Sequence, residues 1–515
     1  MNDVRLLEPN WDARPTPGAR RKVRILAGLA IPLVLLYFTW LLQPERIGHP
    51  VLYGILIAAE IFNVVQAMGF WWTCSRMRAR PPADPSALTA AVDVFIPTYD
   101  EPVEVVEPTV IAAMRLRGVK TVHVLDDGSR EEFAIMAHRH GARHVVRTEH
   151  KGAKSGNVNH ALTVTDAPFV AILDCDHVPD ERFLEATLGH LADERVAMVQ
   201  TPQYYANNRD GRIASASWAQ QALFFGPIAC GKDGHDAMFC CGTNVVFRRA
   251  ALEEVGGFPT HSVTEDFELS LHLHERGWKT TYVPDVLTRG LGPEDMASYV
   301  SQQQRWARGC LSGLKTALRA KLPWRMRVQY LLSSMFFLTG WTVLVYMAMP
   351  VIRIFTGAQP LATAGADQFL AVFAPYFGWS LLIVAMVGGG SYTFSAFALQ
   401  TASFWIHVQA TVLTALGRKG KFVVTPKQGT RERQIKPVLP ALALLALLVC
   451  AAVYGLTSGL DPAMLNNVAF ALVHISVLTA GVWGALAPSA AAPERAAAGP
   501  EPEAAAEGAL RRLAA

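Results

Sequence analysis

The chain contains six apolar runs of about 20 residues, and this feature restricts its fold more than any other. A helix of about 20 apolar residues is long enough to cross the hydrocarbon core of a bilayer. Of the 515 residues, 51% are hydrophobic and only 17% are charged, which is too apolar for an ordinary soluble protein. We therefore predict membrane spans at about 25–43, 51–73, 330–352, 369–390, 438–460 and 464–487.

Basic residues beside the first two runs set the predicted orientation. The first run is preceded by Arg20, Arg21, Lys22 and Arg24, and the second is followed by Arg76, Arg78 and Arg80. The connections "TGAQPLATAGADQ" and "TSGLDPAMLNN" contain neither Lys nor Arg. Since segments rich in Lys and Arg stay in the cytosol, we expect both termini to be cytosolic in a multi-pass protein of the plasma (inner) membrane. Residues 1–80 would then hold two spans and residues 323–487 the other four.

Residues 391–416, "SYTFSAFALQTASFWIHVQATVLTAL", are apolar enough to suggest a seventh span. Gln400, His407 and Gln409 argue against it, because polar side chains are costly in hydrocarbon. A seventh span would also move the basic segment that follows it to the outside. We expect a helix along the cytosolic interface instead, and a disordered tail over 488–515, which is rich in Ala, Pro and Glu.

Charge and cysteine content argue against several classes of protein. The net charge of +4 is too small to indicate a nucleic-acid partner. The seven cysteines show no CxxC spacing and are odd in number, so we expect neither a zinc site nor a disulfide framework.

A soluble block, residues 81–322, separates the second run from the third. Its β-rich runs are "VDVFIPTY", "TVHVLDD", "RHVVRT", "FVAILDCD" and "VAMVQTP", and they alternate with helical patterns near 104–116, 131–141, 155–164 and 181–192. This alternation predicts a cytosolic α/β domain with a mostly parallel sheet and helices on both faces. In such sheets ligands bind at the carboxyl ends of the strands.

Paired acids lie at two of those strand ends. Asp126 and Asp127 follow "TVHVL", and Asp174 and Asp176 follow "FVAIL". Acids at strand ends are often plain turn formers or helix caps, and "DDGS" alone fits that interpretation equally well. Two carboxylates at i and i+2 can also share a hard cation, since Mg²⁺ or Mn²⁺ is commonly held by carboxylates together with substrate phosphates. We therefore predict Asp174 and Asp176 as metal ligands.

Short motifs follow one another in a recognisable order along the chain. They are "FIPTYDEP", "LDDGS", "GAKSGNVNHAL", "ILDCDHVP", "VQTP", "FCCGT", "VTED" and "QQQRW". The series resembles the processive family of inverting glycosyltransferases that includes bacterial cellulose synthase, with hyaluronan, chitin and poly-N-acetylglucosamine synthases as relatives. TED followed by QxxRW beside membrane spans is its most specific part, and the resemblance covers about residues 90–440. It implies a GT-A-like fold.

The resemblance also implies a UDP-sugar donor, a growing polysaccharide acceptor and a set of residues for each. The donor residues would be Tyr99, Asp126, Asp127, Ala153, Lys154, Asp174, Asp176, His177, Arg305, Thr425 and Lys427. Tyr99 would stack on the base and Asp126 would hydrogen-bond it. Thr425 and Lys427 belong to "FVVTPK", which resembles the gating loop of cellulose synthases, within residues 418–436. The acceptor residues would be Cys241, Gly242, Thr243, Gln302 and Trp306.

Three acids, Glu265, Asp266 and Glu268, gather at one predicted helix start, behind Thr264 as a suitable N-cap. The helix dipole stabilises negative charge there, so the sequence predicts ionised carboxylates. Under the resemblance, Asp266 is the general base for an acceptor hydroxyl, and Glu265 orients the acceptor or the base. Without the motif series the same acids would be ordinary residues of a first helical turn.

The segment "SYVSQQQRWARG" places Gln302, Arg305 and Trp306 at i, i+3 and i+4, on one face of a helix. Trp306 offers a flat platform to a sugar ring, and the planar Arg305 side chain can meet a leaving diphosphate. A helix anchored at the membrane interface by Trp and Arg has the same pattern, and the two interpretations are compatible.

Together these observations predict a membrane-embedded inverting transferase that polymerises a β-glycan, most simply a β-1,4-glucan from UDP-glucose, and moves it through a channel between the spans. Candidate channel aromatics are Trp341, Tyr346, Trp379 and Trp405. An accessory secretion subunit is a candidate partner, and we expect no cyclic-di-GMP-binding domain after the last run. The alternatives are the same chemistry with another sugar (N-acetylglucosamine, hyaluronan or mannan), transfer of one sugar to a lipid, and a transporter or scaffold with an inactive transferase domain.

Overall fold

The computed structural model describes residues 11–362, 366–418, 432–459 and 461–487. From the N-terminus to the middle of the chain its elements are α1 (Ala19–Leu41), α2 (Pro50–Cys74), β1 (Val92–Thr98), α3 (Val103–Ala113), β2 (Val119–Asp126), α4 (Glu131–Arg139), β3 (Arg143–Val145), α5 (Ala153–Thr163), β4 (Phe169–Ile172), β5 (Val178–Pro179), α6 (Phe183–Leu188), β6 (Val196–Gln200), β7 (Tyr204–Tyr205), α7 (Arg212–Leu223), α8 (Ala229–Gly234) and β8 (Val245–Arg248). They continue with α9 (Arg249–Glu254), α10 (Glu265–Glu275), β9 (Lys279–Tyr282), β10 (Thr288–Gly290), α11 (Met296–Arg319), α12 (Trp324–Met335), α13 (Thr339–Thr356), α14 (Ala366–Val387), α15 (Phe394–Ala402), α16 (Phe404–Ala415), α17 (Leu439–Ser458) and α18 (Pro462–Leu486).

Six helical segments in the described residues are long and apolar enough to cross a membrane. They are α1, α2, α12 continued into α13, α14, α17 and α18. The third segment runs from Trp324 to Thr356, with a 3₁₀ turn at Phe336–Leu338 between α12 and α13, so it begins about six residues before the predicted start. The prediction of six spans is therefore confirmed.

Two connections between spans meet on one side of this bundle. Ile47, which follows α1, forms a β-bridge with Leu361, which follows α13. On the opposite side, the Arg24 side chain near the start of α1 donates to the carbonyl of Ser75 at the end of α2. The bridge places the connection after α1 beside the connection after α13, and the predicted orientation of both stays a prediction.

A seven-stranded sheet forms the centre of the α/β block, in the order β3-β2-β1-β4-β8-β6-β9. The pairs β3–β2, β2–β1, β1–β4 and β6–β9 are parallel, whereas β8 runs antiparallel to both β4 and β6. All seven residues of β1 are buried, as expected for a central strand with helices on both faces. The predicted α/β fold with a mostly parallel sheet is confirmed.

Apolar side chains alternate along the strands and build one core on each face of the sheet. One core packs Val94 and Val122 against α3 and α4. The other packs Phe95 and Leu125 against α5 and α10. Because strand side chains point alternately to the two faces, the same strands hold both helix layers and align their carboxyl ends at one edge.

Several strands were not predicted from the sequence. β8 and β9 are short, and β5, β10 and β7 form a separate three-stranded sheet of two- and three-residue strands. Pairing in such short strands depends on distant partners rather than on local pattern. The small sheet matters for function because β5 and β10 flank the acids that follow β4.

The ambiguous segment at 391–416 contains two helices, α15 and α16, which meet at Ser403. Neither is long enough to cross a bilayer. Gly481 of α18 lies against α15, where an added Cβ would be 2.2 Å from the Ala398 carbonyl oxygen. A location along the cytosolic interface stays a prediction, and the tail 488–515 lies outside the described residues.

Candidate active site

Asp126 ends β2 and its carboxylate is completely surrounded by hydrogen-bond donors. The backbone N–H groups of Gly128 and Arg130 donate to it at 3.0 and 2.6 Å. The Arg130 guanidinium adds bonds of 3.1 and 3.0 Å, and His144 Nε2 lies 3.2 Å away. Since the side chain is fully buried, Asp126 fixes the corner of the site rather than extending into it.

Asp127 is held by a second arginine. Arg147 makes a two-pronged bond to its carboxylate at 2.6 and 2.7 Å, and His150 Nδ1 lies 3.0 Å away. Burial would raise the pKa of Asp127, but these hydrogen bonds and charges outweigh it and lower the pKa. Arg147 also donates to the carbonyls of Lys151 and Ala153, so the pair fixes the start of α5 beside β2.

Tyr99 lies at the same corner, directly after β1. Its ring is 56% exposed, and its backbone N–H donates to Glu101. Arg130 donates to the Glu101 carbonyl and to the Thr98 hydroxyl, which ties this turn to Asp126. An exposed aromatic ring on a fixed turn is suited to stacking on a planar ligand.

Lys154 lies in the first turn of α5, and its ammonium group points into the interior of the site. It contacts the Asp174 carboxylate and donates to the Gly242 carbonyl at 2.9 Å. Burial would lower the pKa of Lys154, but Asp174, Glu265 and Asp266 outweigh it and raise the pKa. Lys154 therefore carries its charge at the point where the predicted donor and acceptor residues meet.

The turn before Lys154 has an unusual backbone. Gly152 and Ala153 both have positive φ, 78° and 44°, a region that residues other than glycine rarely adopt. At position 156 glycine is required for a steric reason, because an added Cβ would lie 1.9 Å from the Lys151 carbonyl oxygen. This packing brings the chain close to Arg147 and orients the first turn of α5.

Asp174, Asp176 and His177 form a cluster in which one ligand atom from each lies within 4.8 Å of the others. Asp176 is fully buried and accepts from the Leu291 backbone N–H at 3.3 Å, while Asp174 is partly exposed. His177 Nε2 is buried without a hydrogen-bond partner among the described residues. Two carboxylates and an imidazole suit a divalent cation such as Mg²⁺ or Mn²⁺, so the residues fit the predicted metal.

The segment Cys241–Thr243 joins the metal cluster to the predicted acceptor side. The Asp174 backbone N–H donates to Thr243 Oγ1 at 2.7 Å. Gly242 has a φ of 84°, and an added Cβ would lie 3.0 Å from Asp266 Oδ2. Cys241 is fixed through its backbone, which donates to Gln200 at 2.9 Å, and burial raises the pKa of its thiol. Cys241 is therefore suited to contact rather than to nucleophilic attack.

Glu265 and Asp266 begin α10, as predicted, and point toward Lys154. Thr264 is the N-cap residue, but its side chain makes no capping hydrogen bond. Asp266 Oδ1 instead accepts from the Phe267 backbone N–H at 2.8 Å. Glu268 lies one turn further and contacts the exposed His261, which separates it from the other two acids.

The pKa shifts of Glu265 and Asp266 run opposite to the direction that a helix start favours. Burial raises the pKa of Glu265 to about 7, and the neighbouring Asp266 charge adds to the rise. Burial also raises the pKa of Asp266, against the opposing effects of the Phe267 N–H, Lys154 and Arg305. Desolvation in the cleft therefore exceeds the favourable effect of the helix start. A base with a raised pKa accepts a proton more readily at neutral pH.

Helix α11 forms the wall of the cleft beside these acids. Gly309 of α11 lies against Thr264 so closely that an added Cβ would be 2.1 Å from Thr264 Cγ2. Arg305 is near enough to lower the pKa of both Glu265 and Asp266. Trp306 packs beside a cluster that includes Ala307. The structure thus brings one face of α11 to the start of α10.

Gln302 lies about one turn of α11 before Arg305 and Trp306. Its Nε2 is 3.5 Å from the Tyr205 hydroxyl, and its Oε1 is buried without a partner among the described residues. Tyr205 belongs to β7, so the small second sheet reaches the acceptor side of the cleft.

Thr425 and Lys427 lie outside the described residues, so their predicted donor role is untested. The flanks of that segment are described, and both contact α11. Arg308 donates to the Arg418 carbonyl at 2.7 Å, and the Ala297 backbone N–H donates to Gln434 Oε1 at 2.8 Å.

Sequence reasoning missed the partners of the predicted residues. Arg130, His144, Arg147 and His150 hold the two aspartates of "DDGS", and Gln200 holds Cys241. Each of these contacts joins residues from separate elements or loops, except the local Asp126–Arg130 pair at i and i+4. That spacing is the one signal that could have been read from the sequence.

Comparisons with known proteins agree with this geometry. Residues 169–405 match the family described as "Glycosyl transferase family group 2". The chain is 33% identical over 438 residues to cellulose synthase 1 catalytic subunit [UDP-forming] of Komagataeibacter xylinus, a match that covers 81% of this chain and 58% of the relative. It belongs to the family 2 glycosyltransferases.

A further relative and a solved structure support the assignment. The transferase is 31% identical to the cellulose synthase catalytic subunit [UDP-forming] of Komagataeibacter sucrofermentans, over 90% of this chain and 66% of that protein. Its fold is similar to that of a mannosyltransferase from Pyrobaculum calidifontis in complex with GDP-Man and Mn²⁺, with a TM-score of 0.51 and 20% identity. That match covers 70% of this chain and 99% of the other. The transferase therefore has a GT-A fold, and it spans about three fifths to two thirds of the length of these two curated relatives.

Proposed function

We propose that the transferase polymerises a β-glycan by inverting transfer from a UDP-sugar and moves the product across the membrane. The simplest form is a β-1,4-glucan made from UDP-glucose. The names of the two cellulose synthases, both UDP-forming, support this donor and product. The six candidate spans support delivery across a bilayer.

The observation that carries the proposal is the convergence of three acids on Lys154. Asp174 contacts its ammonium group directly, and Glu265 and Asp266 both raise its pKa. Lys154 therefore lies between the carboxylates proposed to hold the donor and the carboxylate proposed to act on the acceptor. A sugar nucleotide and an acceptor hydroxyl must be held close together to react, and the residues proposed for each lie beside Lys154.

In the proposed reaction Asp266 accepts the proton of an acceptor hydroxyl while that oxygen attacks the anomeric carbon. The bond from that carbon to the diphosphate oxygen breaks, and UDP leaves with the electron pair. One base and one displacement invert the anomeric centre, so an α-linked donor gives a β-linkage. Arg305 and Lys154 would face the leaving diphosphate with positive charge.

The residues proposed to hold the metal are Asp174 and Asp176, with His177 beside them. When bound, Mg²⁺ or Mn²⁺ neutralises charge on the diphosphate. Asp176 suits this role because its carboxylate is fully buried beside His177, whose Nδ1 lies 3.3 Å from Asp176 Oδ1. Tyr99 would stack on the base, and Trp306 would support the acceptor sugar.

The proposed exit is a route between the spans. Of the predicted aromatics, Trp341 is partly exposed, and the Tyr346 hydroxyl contacts Glu60 at 3.0 Å. Trp379 donates to the Leu26 carbonyl and Trp405 packs in a helical core, which favours a packing role for these two. Polar groups within spans commonly face a bundle interior or an aqueous path.

A donor screen tests the proposal. Full-length transferase in vesicles is incubated with radiolabelled UDP-sugars, and the product is analysed for length and linkage. We expect UDP-glucose to give long β-1,4-linked chains. A polymer from another UDP-sugar would change the assigned sugar, and single sugars attached to lipid would overturn processive synthesis.

A further inference from the structure

A stack of aromatic rings joins the end of α2 to the start of α12. Trp72 and Trp324 lie parallel, with ring centroids 5.8 Å apart and an interplanar angle of 10°. His235, just after α8, lies beside Trp72, with ring centroids 4.2 Å apart. Trp324 is 63% exposed, and the Arg325 guanidinium lies 5.4 Å from its ring centroid. Tryptophan at the ends of spans typically lies at the level of lipid headgroups.

Near this stack, arginines outnumber the acids that pair with them in the described part of the chain. Arg78 and Arg80, from the same basic stretch, pair with Asp233 at 3.7 and 2.9 Å, and Arg78 also pairs with Asp236 at 3.2 Å. Arg76 and Arg325 make no ion pair within the part of the chain that the structure describes. Both nearby acids are thus engaged by the other arginines, which leaves excess positive charge beside the tryptophans.

The pKa of His235 is affected by this excess positive charge. Burial, aided by the charges of Arg76, Lys232 and Arg325, lowers its pKa to about 4 against a hydrogen bond to the Trp72 carbonyl. Its ring is 6% exposed, and its Nδ1 has no hydrogen-bond partner among the described residues. The histidine therefore stays neutral in a positive field, and the site favours an anion from outside the chain.

We propose that Arg76, Arg325, Trp72 and Trp324 bind the phosphate headgroup of an anionic phospholipid. The two guanidinium groups would meet the phosphate, for which their planar donors are suited. The exposed face of Trp324 lies at the end of a span, where it would contact the glycerol and the first acyl carbons. A soluble anion would use the arginines but not this apolar face, which is the reason for assigning a lipid.

Native mass spectrometry on the full-length protein in detergent tests this assignment. Equal amounts of phosphatidylglycerol and phosphatidylcholine are added, and retained lipid is measured for the wild type, Arg76→Gln/Arg325→Gln and a matched control, Arg115→Gln. Arg115 is an exposed arginine in the turn after α3, without an ion pair among the described residues. Each arginine near an anionic lipid surface contributes about fivefold in binding, so the double variant should lose phosphatidylglycerol by about 25-fold.

The expected result is preferential retention of phosphatidylglycerol by the wild type and by Arg115→Gln, and its loss in the double variant. Arg325→Gln alone is included because Arg325 is exposed and its loss should not disturb folding; it should lose about fivefold. Equal retention in wild type and double variant would overturn the site. Equal retention of phosphatidylglycerol and phosphatidylcholine by the wild type would overturn an anionic lipid as the ligand.

Discussion

The acids on the proposed donor side and those on the proposed acceptor side differ in their charged partners and in the direction of their pKa shifts. Asp126 and Asp127 are each bonded to an arginine, and the pKa of Asp127 is lowered. Glu265 and Asp266 form no ion pair among the described residues, and burial raises the pKa of both. The first pair is fixed in place by its arginines, whereas the second is poised to gain and lose a proton.

Asp266→Asn should show the largest effect. Removing a general base typically costs 10²–10⁴-fold in rate, so we expect turnover to fall on the order of 10³-fold. Donor binding should change by less than about twofold, because Asp266 is not among the groups proposed to hold the donor. Initial rates with radiolabelled donor and a separate donor-binding titration measure the two effects.

Glu268→Gln is the matched control, since Glu268 lies on the same helix but contacts His261 instead of Lys154. Its activity should stay close to that of the wild type. Full turnover by Asp266→Asn would remove Asp266 from the mechanism and with it the contrast between the two sides.

Asp127→Asn should show the second largest effect, a decrease in the free energy of unfolding. The substitution leaves Arg147, which is almost fully buried, without its charge partner, and breaking a buried pair costs about 3 kcal/mol. Asp266→Asn should not destabilise the protein, because it removes a desolvated charge. Thermal unfolding in detergent compares the two. Glu185→Gln, which breaks the exposed pair with Arg117, should cost less than about 1 kcal/mol.

Asp176→Asn tests the metal cluster. We expect donor affinity to fall at least about tenfold in Mg²⁺ or Mn²⁺, since loss of even an outer partner of a metal site commonly costs that much. In excess chelator the variant and the wild type should bind donor equally weakly. A variant that binds donor as tightly as the wild type with metal present would show that Asp176 holds no cation.

The smallest effect should be a shift in the pH dependence of turnover. Asp266 must be deprotonated to act, and its pKa is raised, so activity should fall as pH decreases through a limb that lies above the pH range of an ordinary aspartate. The limb belongs to Glu265 and Asp266 together. Glu265→Gln removes a negative neighbour and should move the limb to lower pH, whereas Lys154→Met should move it to higher pH. A limb that Glu265→Gln leaves in place would show that the two acids titrate independently.

The sequence was sufficient to predict those features that depend on neighbouring residues. The six spans, the alternation of strands and helices, and the acids that follow β2 and β4 all depend on runs of neighbouring residues. The helix that begins at Glu265 and the shared face of Gln302, Arg305 and Trp306 depend on spacing alone. These elements could therefore be placed within a few residues.

The sequence was insufficient where distant segments meet. The antiparallel insertion of β8 and the partners Arg147 and Gln200 require the folded chain. The same is true of the raised pKa of Asp266, because the desolvation that outweighs the helix dipole depends on packing such as that of Gly309 on Thr264. The position of a helix start predicts the local electric field, but it does not predict how far the rest of the protein desolvates a carboxylate there.

Helix α11 is at once a wall of the cleft and a support for the membrane frame, since the cluster beside Trp306 includes Phe337, after α12, and Ala410 of α16. A soluble fragment ending near residue 322 would keep Asp266 and Trp306 but lose the apolar surface behind the tryptophan. The α/β block is therefore poorly suited to being cut out of this protein or transferred into another one. Attempts to engineer a new acceptor preference will have to redesign the adjoining membrane helices together with the pocket.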